Sequence, residues 1–394
     1  MVLHNNYNNL YQSNHFILPT ENDLSPANLP VLKHIYFCVT NDLRFDQRMG
    51  RICQSLSASG YEVTLVGRKL SSGTILPGKP YHQVILECHA RKGRWMYLEY
   101  NIRLFFFLLK SRPDIITAID LDTILPCYLI SIIRKIPRAY DAHELFTEMK
   151  EVITRPAIHK TWLTIEKWMV PRFPRGYTVS QSIADEFEKR YGVQYGVIMN
   201  TPVLQARREK KSGSKNYLLY QGAVNEGRGL EWLIPAMNDV SAELWICGEG
   251  NFSDSCRQLI KDHSLTHKVL VKGMLSPEEL LEVAADAYAG INLVEPLGLN
   301  QLYSLANKFF DYIHAGIPQL TMDFPEYRRI NEQYEVAILI KTLTPQIIAG
   351  ALNNLLQNEV LYHRLLTNCH AAALAFNWQN EENKLRLFYK NLFD

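Results

Sequence analysis

No two of the seven cysteines form a C-x-x-C pair, and seven is an odd number. That argues against a disulfide framework and against a zinc site, and leaves reduced, mostly buried thiols. Neither sign of charge dominates: 42 lysines and arginines stand against 40 acids, for a net charge of +2. No whole-molecule field then draws in nucleic acid or an anionic membrane, and any anion site has to be local. Long apolar runs are missing too, since the most apolar stretches, Leu104 to Leu109 and Thr123 to Ile133, fall far below the ~20 residues that span a bilayer. The opening MVLHNNYNNLYQSNHF has neither the basic start nor the apolar run of a secretory signal. A cytoplasmic protein that does not cross a membrane is the expectation. Finally, no G-x-G-x-x-G follows the first apolar run, HIYFCV, which disfavours a nicotinamide dehydrogenase.

What is present is a chain of 394 residues, enough for roughly two to three domains. Residues 1–30 are Asn-rich and polar without sustained periodicity and read as a flexible extension. From Lys33 short apolar runs alternate with helical spacing: HIYFCV, a helix through Met49 to Leu56, EVTLV, VILECH, a helix Trp95 to Lys110, DIITAI, a helix Thr123 to Arg134, then RAY. Strands separated by helices of ten or more residues imply parallel pairing, hence a doubly wound α/β layer over residues 31–203. Residues 204–216 turn basic, with Ser-Gly-Ser, as an exposed hinge does. The alternation restarts at YLLYQ and fills a second α/β domain, 217–376, with Ser276, Pro277 and Glu279 as a helix start and a helix Leu302 to His314. The remaining 377–394 read as a C-terminal helix packing back toward the first domain. Two such domains leave a cleft onto which the carboxyl ends of both sheets open.

Three segments carry candidate chemistry. In YQGAVNEGRGLEWL a strand passes into a helix through Gly222, Gly227, Arg228 and Gly229, a turn that presents amides and a positive helix end to phosphate oxygens. It is not a P-loop, because Arg228 and Gly229 stand where lysine and Ser/Thr are needed. By turn chemistry alone it is equally a permissive turn with a solvated arginine. In RAYDAHELFTE, Asp141, His143 and Glu144 follow an apolar strand at the rim where α/β proteins bind ligands. His143 can bond a sugar hydroxyl or shuttle a proton, or simply be structural; a metal is not expected there, for lack of a second histidine at ligand spacing. In NLVEPLGLNQLYSLANKFFDYIHAGIPQL, Glu295 lies in a loop, and Asn307, Lys308 and Asp311 share about one helical turn. They suit ribose and phosphate, or else form a surface pair worth only ~0.3 kcal/mol.

In this order and separation, with NDLRFDQRMGRICQSLSASGYEVTLVGR, YTVSQSIADEFEKRYG, MNTP, ICGEG and FFDYIHAGIPQ beside them, these segments resemble the retaining GT-B glycosyltransferases, the family-four group that builds bacterial surface polysaccharides. The resemblance runs from Lys33 to the C-terminus. It implies two Rossmann-like domains facing each other across a cleft, and transfer of a sugar, with retention, from a nucleotide diphosphate sugar to a lipid-linked or oligosaccharide acceptor. No metal or cofactor is implied beyond that co-substrate. By position, Arg228 is carried over as the group stabilising the departing diphosphate, Lys308 as a second positive charge, and Asp311 as the ribose ligand. Gly248 and Gly250 resemble the glycines flanking the nucleotide, Lys272 and Gly273 the strand end that meets the base, and His143 the histidine near the transferred sugar. Gly222, Gly227, Gly229, Glu295, Asn300 and Asn307 complete the implied donor set. Asp141, Glu144, Arg44 and Arg48 are the implied sugar or acceptor contacts.

Two family contacts are absent: the arginine after the first glycine is Ala223, and the first glutamate of the paired motif falls on Tyr303. These departures keep two alternatives open, a nucleotide-sugar epimerase of the same fold and a non-catalytic sugar-nucleotide-binding relative. The helix Trp95 to Lys110, with Arg91, Lys92 and Arg94 nearby, reads either as a core helix or as a face for peripheral contact at the inner membrane surface. Nucleic acid is not an expected partner.

Overall fold

A computed structural model describes residues 33–44, 46–68, 78–90, 93–206 and 217–393. The extension 1–30, the hinge from 207 to 216, and Arg91 and Lys92 lie outside the described residues. Seven parallel strands form the first sheet: β1 His34–Cys38, β2 Glu62–Arg68, β3 His82–Leu86, β4 Ile115–Ile119, β5 Arg138–Ala142, β6 Gly176–Thr178 and β7 Gly196–Val197. Six form the second: β8 Tyr217–Gln221, β9 Glu243–Cys247, β10 Val269–Gly273, β11 Ala289–Asn292, β12 Gln319–Met322 and β13 Ala337–Ile340. The spatial orders are β3-β2-β1-β4-β5-β6-β7 and β10-β9-β8-β11-β12-β13. Each sheet is wound outward from its first strand and then back across it, so the order reverses between β1 and β4 and between β8 and β11. Helices splay apart at such a reversal and open a crevice beyond the strand ends, which makes the fold two Rossmann-like domains.

Alternation within a strand explains how each sheet is covered. In β1, Ile35 and Phe37 join Ile115, Ile119 and the helix Gln47–Ala58, while Tyr36 and Cys38 join Ile116, Ala118 and the helices Gly93–Lys110 and Ile124–Arg134. Both faces being buried, the strands are nearly all apolar. Ser276 starts the helix Pro277–Asp286 with a complete capping box: its hydroxyl accepts from the Glu279 amide while Glu279 accepts from the Ser276 amide.

Of the element boundaries that differ from expectation, two depart the most. The strand expected to run through His89 ends at Leu86, and beyond it the Glu99 carboxylate captures the His89 and Ala90 amides. The helix expected from Leu302 to His314 is broken between the short helix Leu299–Leu302 and the helix Asn307–Ala315. At the break Ser180 Oγ donates to the Tyr303 carbonyl, Tyr327 Oη accepts from the Ala306 amide, and Leu305 is buried. The break makes Asn307 the first helical residue, which puts Lys308 and Asp311 into the cleft.

The C-terminal helix Trp378–Phe393 lies on the first domain, with Trp378, Leu385 and Tyr389 in the core beside Phe37 and Ile52. Trp378 Nε1 donates to Ser55 Oγ at 2.9 Å, and Tyr389 Oη pairs with Thr117 Oγ1 at 2.9 Å. The expected result of Trp378→Ala is a loss of about 3–5 kcal/mol, because a large buried ring is removed and a hydrogen-bond partner orphaned. Chemical denaturation with a probe in the first domain reads this as a lowered midpoint.

Candidate active site

A cleft of about 700 Å³ lies between the carboxyl ends of the two sheets. The first domain lines it with Arg48, His143, Glu144 and Lys150, and the second with Gln221, Gly222, Ala223, Arg228, Asn300, Asn307, Lys308 and Asp311. Several hydrogen bonds join the walls. The Leu145 amide donates to Asn300 Oδ1 at 2.9 Å, Asn200 Nδ2 donates to Asn307 Oδ1 at 2.7 Å, and the Ser182 amide donates to Glu326 Oε1 at 2.7 Å. Lys150 Nζ stands 3.9 Å from Glu295 Oε2.

On the first wall, β4 and β5 end side by side and deliver Asp120 and Asp141. Asp141 has no exposed surface; its Oδ1 accepts from Arg48 Nη2 at 3.1 Å and its Oδ2 lies 3.0 Å from His143 Nε2. Arg48 also donates to the Ile198 carbonyl at 2.9 Å. Asp120, held at φ +55, accepts from the His143 amide at 2.8 Å and places its other oxygen 3.8 Å from His143 Nδ1. Burial alone would lower the His143 pKa, but Asp141 and Asp120 overcome it and push it up to about 9. Burial likewise opposes ionisation of Asp141, yet Arg48 and His143 hold it below the ordinary carboxylate range. Burial pushes Asp120 itself up to about 8, so Asp141, whose ionised form Arg48 also holds, is the counter-charge that keeps His143 an imidazolium at neutral pH. It can donate to a sugar hydroxyl or an anionic oxygen, and proton abstraction by it is disfavoured.

Two of the expected contacts, Asp141 and Arg44, are not brought into the cleft lining. Asp141 is fully committed to Arg48 and His143, so it orients the imidazole and does not meet an acceptor. Arg48 lines the cleft, with Nη2 on Asp141, Nη1 on the Ile198 carbonyl and Nε buried without a hydrogen-bond partner. Arg44 does not line the cleft; its Nε donates to Asp42 Oδ1 at 2.9 Å. Glu144 does line it, with its pKa raised by burial and opposed by His143, and it bonds Asn300.

On the second wall the turn after β8 differs from an open cradle of amides. The amides of Gly222, Val224 and Arg228 donate to the carbonyls of Cys247, Glu249 and Asn225, and those of Glu226 and Gly227 to Asn251 Oδ1 and Glu231 Oε1. The helix that follows, Leu230–Ala236, has only seven residues. Positive potential at this point comes from side chains instead, from Arg228 and from Lys308, whose Nζ lies 3.9 Å from the Tyr220 ring centroid. Burial, then the nearby Arg228, lower the Lys308 pKa to about 7. Asp311 sits one turn along; burial raises it to about 6 against the pull of Arg51, and its Oδ2 accepts from Gln221 Nε2 at 2.8 Å.

Gly248, Gly250, Lys272 and Gly273 are not brought into the cleft. A Cβ on Gly248 would stand 1.9 Å from the Gly222 carbonyl oxygen, so glycine is required there by backbone contact. Gly250 packs in the same way on the Val224 carbonyl. The Gly273 carbonyl accepts from the Gly248 amide at 2.8 Å, and Lys272 Nζ rests 4.0 Å from the Trp245 ring centroid. Gly227, Gly229 and Glu295 are not among the lining residues either: the Glu295 amide donates to the Gly227 carbonyl at 2.9 Å, a Cβ on Gly227 would stand 3.6 Å from Nζ of Lys150 on the first wall, and Gly229 backs onto Leu293.

Sequence reasoning missed Asp120, Asp122, Gln221, Arg51 and Asn200. Asp120 and Asp122 stand just past the apolar strand β4 as His143 stands just past β5, so the same signal would have found them. Asp122, raised to about 6 by burial against the bond from Thr40, lies beneath the site. Arg51, which donates to Asn200 Oδ1 and stacks on Trp378, has no local signature. Among the described residues no three His, Cys, Asp or Glu side chains are grouped to hold a metal ion.

Comparison with known proteins gives two family matches, "Glycosyltransferase Family 4" over residues 47–200 and "Glycosyl transferases group 1" over residues 204–371. A search of curated proteins returns no match. Among solved structures, sucrose-phosphate synthase from Thermosynechococcus elongatus superposes with a TM-score of 0.74 at 16% identity, over 92% of this chain and 99% of its own. HepE from Anabaena, in complex with UDP, gives 0.70 at 14%, over 91% and 100%. WaaG, a glycosyltransferase involved in lipopolysaccharide biosynthesis, gives 0.68 at 14%, over 89% and 98%. At these identities the likeness is one of fold.

Proposed function

Since the chain belongs to the family-4-type GT-B glycosyltransferases, we propose that it moves a hexose, with retention of configuration, from a nucleotide diphosphate sugar to a lipid-linked or oligosaccharide acceptor in the assembly of a surface polysaccharide. The observation that carries this reading is the convergence of Arg228 and Lys308 at the end of β8, above Asp311 and opposite His143 and Glu144. The bond from the anomeric carbon to the diphosphate breaks, and the new bond forms to the acceptor oxygen. Negative charge grows on the leaving phosphate, where two cations in a partly desolvated site stabilise it by several kcal/mol. The acceptor proton passes to the leaving phosphate oxygen, so no protein base, metal or cofactor is required. Asp311 suits a pair of ribose hydroxyls, and His143, fixed by Asp141 and Asp120, suits the transferred sugar.

Lys308 also bears on the missing arginine at Ala223. A Cβ on Gly222, the neighbour of Ala223, would be 3.7 Å from Lys308 Cε. The lysine thus supplies charge at the place where the family's arginine would start. The structures of HepE with UDP and with UDP-glucose, and the involvement of WaaG in lipopolysaccharide biosynthesis, agree with the donor class and the polysaccharide setting proposed here.

A thermal-shift panel of UDP, GDP, ADP, CMP and NAD on the wild type and on Arg228→Ala tests the reading. One nucleoside diphosphate is expected to stabilise the wild type, and to lose most of that effect in the variant. Stabilisation by NAD alone, or by none, would overturn it. Donor bound but never consumed would favour a non-catalytic relative, and donor isomerised without acceptor would favour an epimerase.

A further inference from the structure

A second groove opens on the first domain, outside the cleft. It encloses about 560 Å³ between the helix Pro156–Met169 and the helix Gln181–Tyr191, a volume within the range of ligand pockets. His159, Leu163 and Lys167 line it from the first helix at steps of four, and Arg190 and Tyr191 from the second, with Glu148 beside them. Arg190 is held at two points, its Nε donating to Glu186 Oε1 at 2.6 Å and its Nη2 to Glu148 Oε1 at 2.8 Å. Tyr191 is fixed as well: its hydroxyl donates to the buried Glu166, which also accepts from Thr147 Oγ1, both at 2.7 Å. Among the described residues these bonds leave over the Nη1 of Arg190, the Oε2 of Glu148 and the side chains of His159 and Lys167.

That set selects a ligand class. A free anion would face the Glu148 carboxylate, and a cation would face Arg190 and Lys167. A carboxylate oxygen beside a guanidinium N–H offers an acceptor and a donor side by side, which two adjacent sugar hydroxyls satisfy, one donating and one accepting. The C–H face of the sugar ring is served by Leu163 and the ring of Tyr191. Because the ion pair and the tyrosine are already fixed, little ordering cost falls on binding.

The groove also adjoins the cleft. Residues 148–151 form the partition: Glu148 lines the groove, while Met149, Lys150 and Glu151 line the cleft. The helix Gln181–Tyr191 joins the two, with Ile183 in the cleft lining and Arg190 in the groove, about 10 Å apart by helical rise.

We propose that this groove is a second carbohydrate-binding site, which holds the non-reacting part of an oligosaccharide acceptor while its terminal sugar lies in the cleft. It rests on the oligosaccharide-acceptor reading for its purpose, and adds a place of hold outside the reacting centre.

The test is calorimetric titration of the full chain with neutral trisaccharides and pentasaccharides of glucose, galactose, mannose and N-acetylglucosamine, each beside its monosaccharide. At least one oligosaccharide is expected to bind, about tenfold or more tighter than its monosaccharide. His159→Ala together with Lys167→Ala should weaken it at least about tenfold, with the melting temperature and the stabilisation by nucleoside diphosphate unchanged. Leu163→Trp, which fills the groove from an independent position, should do the same. With that oligosaccharide as acceptor, the double variant should raise KM and leave kcat as it was, since the lost contact is equal in ground and transition states. Binding by none of these glycans would overturn the proposal, as would affinity unchanged in both variants. Inorganic phosphate bound in the groove in place of any glycan would overturn it too, and make the groove an anion site. A chain that binds the glycan but transfers no sugar to it overturns the proposed function and leaves the groove standing; a chain that glycosylates oligosaccharide and monosaccharide with the same KM does the reverse.

Discussion

Arg228→Ala is expected to lower kcat/KM for sugar transfer by about 10²–10³, the usual loss when one preorganised charge at a developing anion is removed. Arg228 reaches the cleft from a turn whose own amides are largely committed to Cys247, Glu249, Asn225 and neighbouring side chains. The backbone therefore contributes little compensation. The turn's course is held by Gly248 packing on Gly222 and by Glu231 accepting from the Gly227 amide, so truncating the side chain leaves the fold intact. Most of the loss should appear in kcat, because the charge on the leaving phosphate is greatest in the transition state. Initial rates of nucleoside diphosphate release in the presence of acceptor measure it. A variant with the wild-type kcat would remove Arg228 from the chemistry.

Lys308 is expected to make diphosphate affinity fall as pH rises through about 7. Its pKa in the free protein lies near 7 because burial and Arg228 disfavour the charged form. A bound diphosphate favours that form and raises the pKa. Below pH 7 the lysine is already protonated and affinity is at its plateau. Above it, binding has to take up a proton, and affinity falls up to tenfold per pH unit until the raised pKa of the complex is reached. Lys308→Met should flatten this profile and weaken binding at pH 6. The same variant should raise thermal stability by roughly 2–4 °C, since a lysine with a lowered folded pKa destabilises the native state at every pH below its ordinary value, and most fully below 7. Calorimetric titration of nucleoside diphosphate across pH 6–9, with a melting curve for each protein, checks both. An unchanged pH profile in Lys308→Met would show that another group takes up the proton.

The alternation of apolar runs with helical spacing was legible because it is written within windows of ten to twenty residues and follows from strands buried on both faces. The positions of Arg228, His143 and Asp311 in a cleft were legible for a related reason. Each closely follows an apolar run or opens a helix, and in a parallel sheet all strand ends point to one side. Nothing local shows that Arg48 and Asp141, 93 residues apart, close on one another, or that Asp141 is thereby kept out of the cleft lining. Once Asp141 is buried between a guanidinium and an imidazole, it becomes the anchor that keeps His143 protonated. Likewise the break at Tyr303 depends on Ser180 and Tyr327, which arrive from distant segments.

The helix Gly93–Lys110 shows the division most clearly. Its sequence lacks the strongly polar opposite face of an interfacial helix, so periodicity favoured a core helix over an interfacial one. The sheet buries Tyr100 and Leu104 and leaves Trp95, Ile102 and Phe106 exposed, a division that periodicity did not show. Sequence alone determined the alternation of strands and helices, its restart as a second layer and several of the polar residues near strand ends, because those rest on side-chain periodicity and local turn chemistry. Tertiary structure alone decided which charges are paired, which amides are already used and which apolar stripe meets solvent, because each depends on groups brought together across the fold.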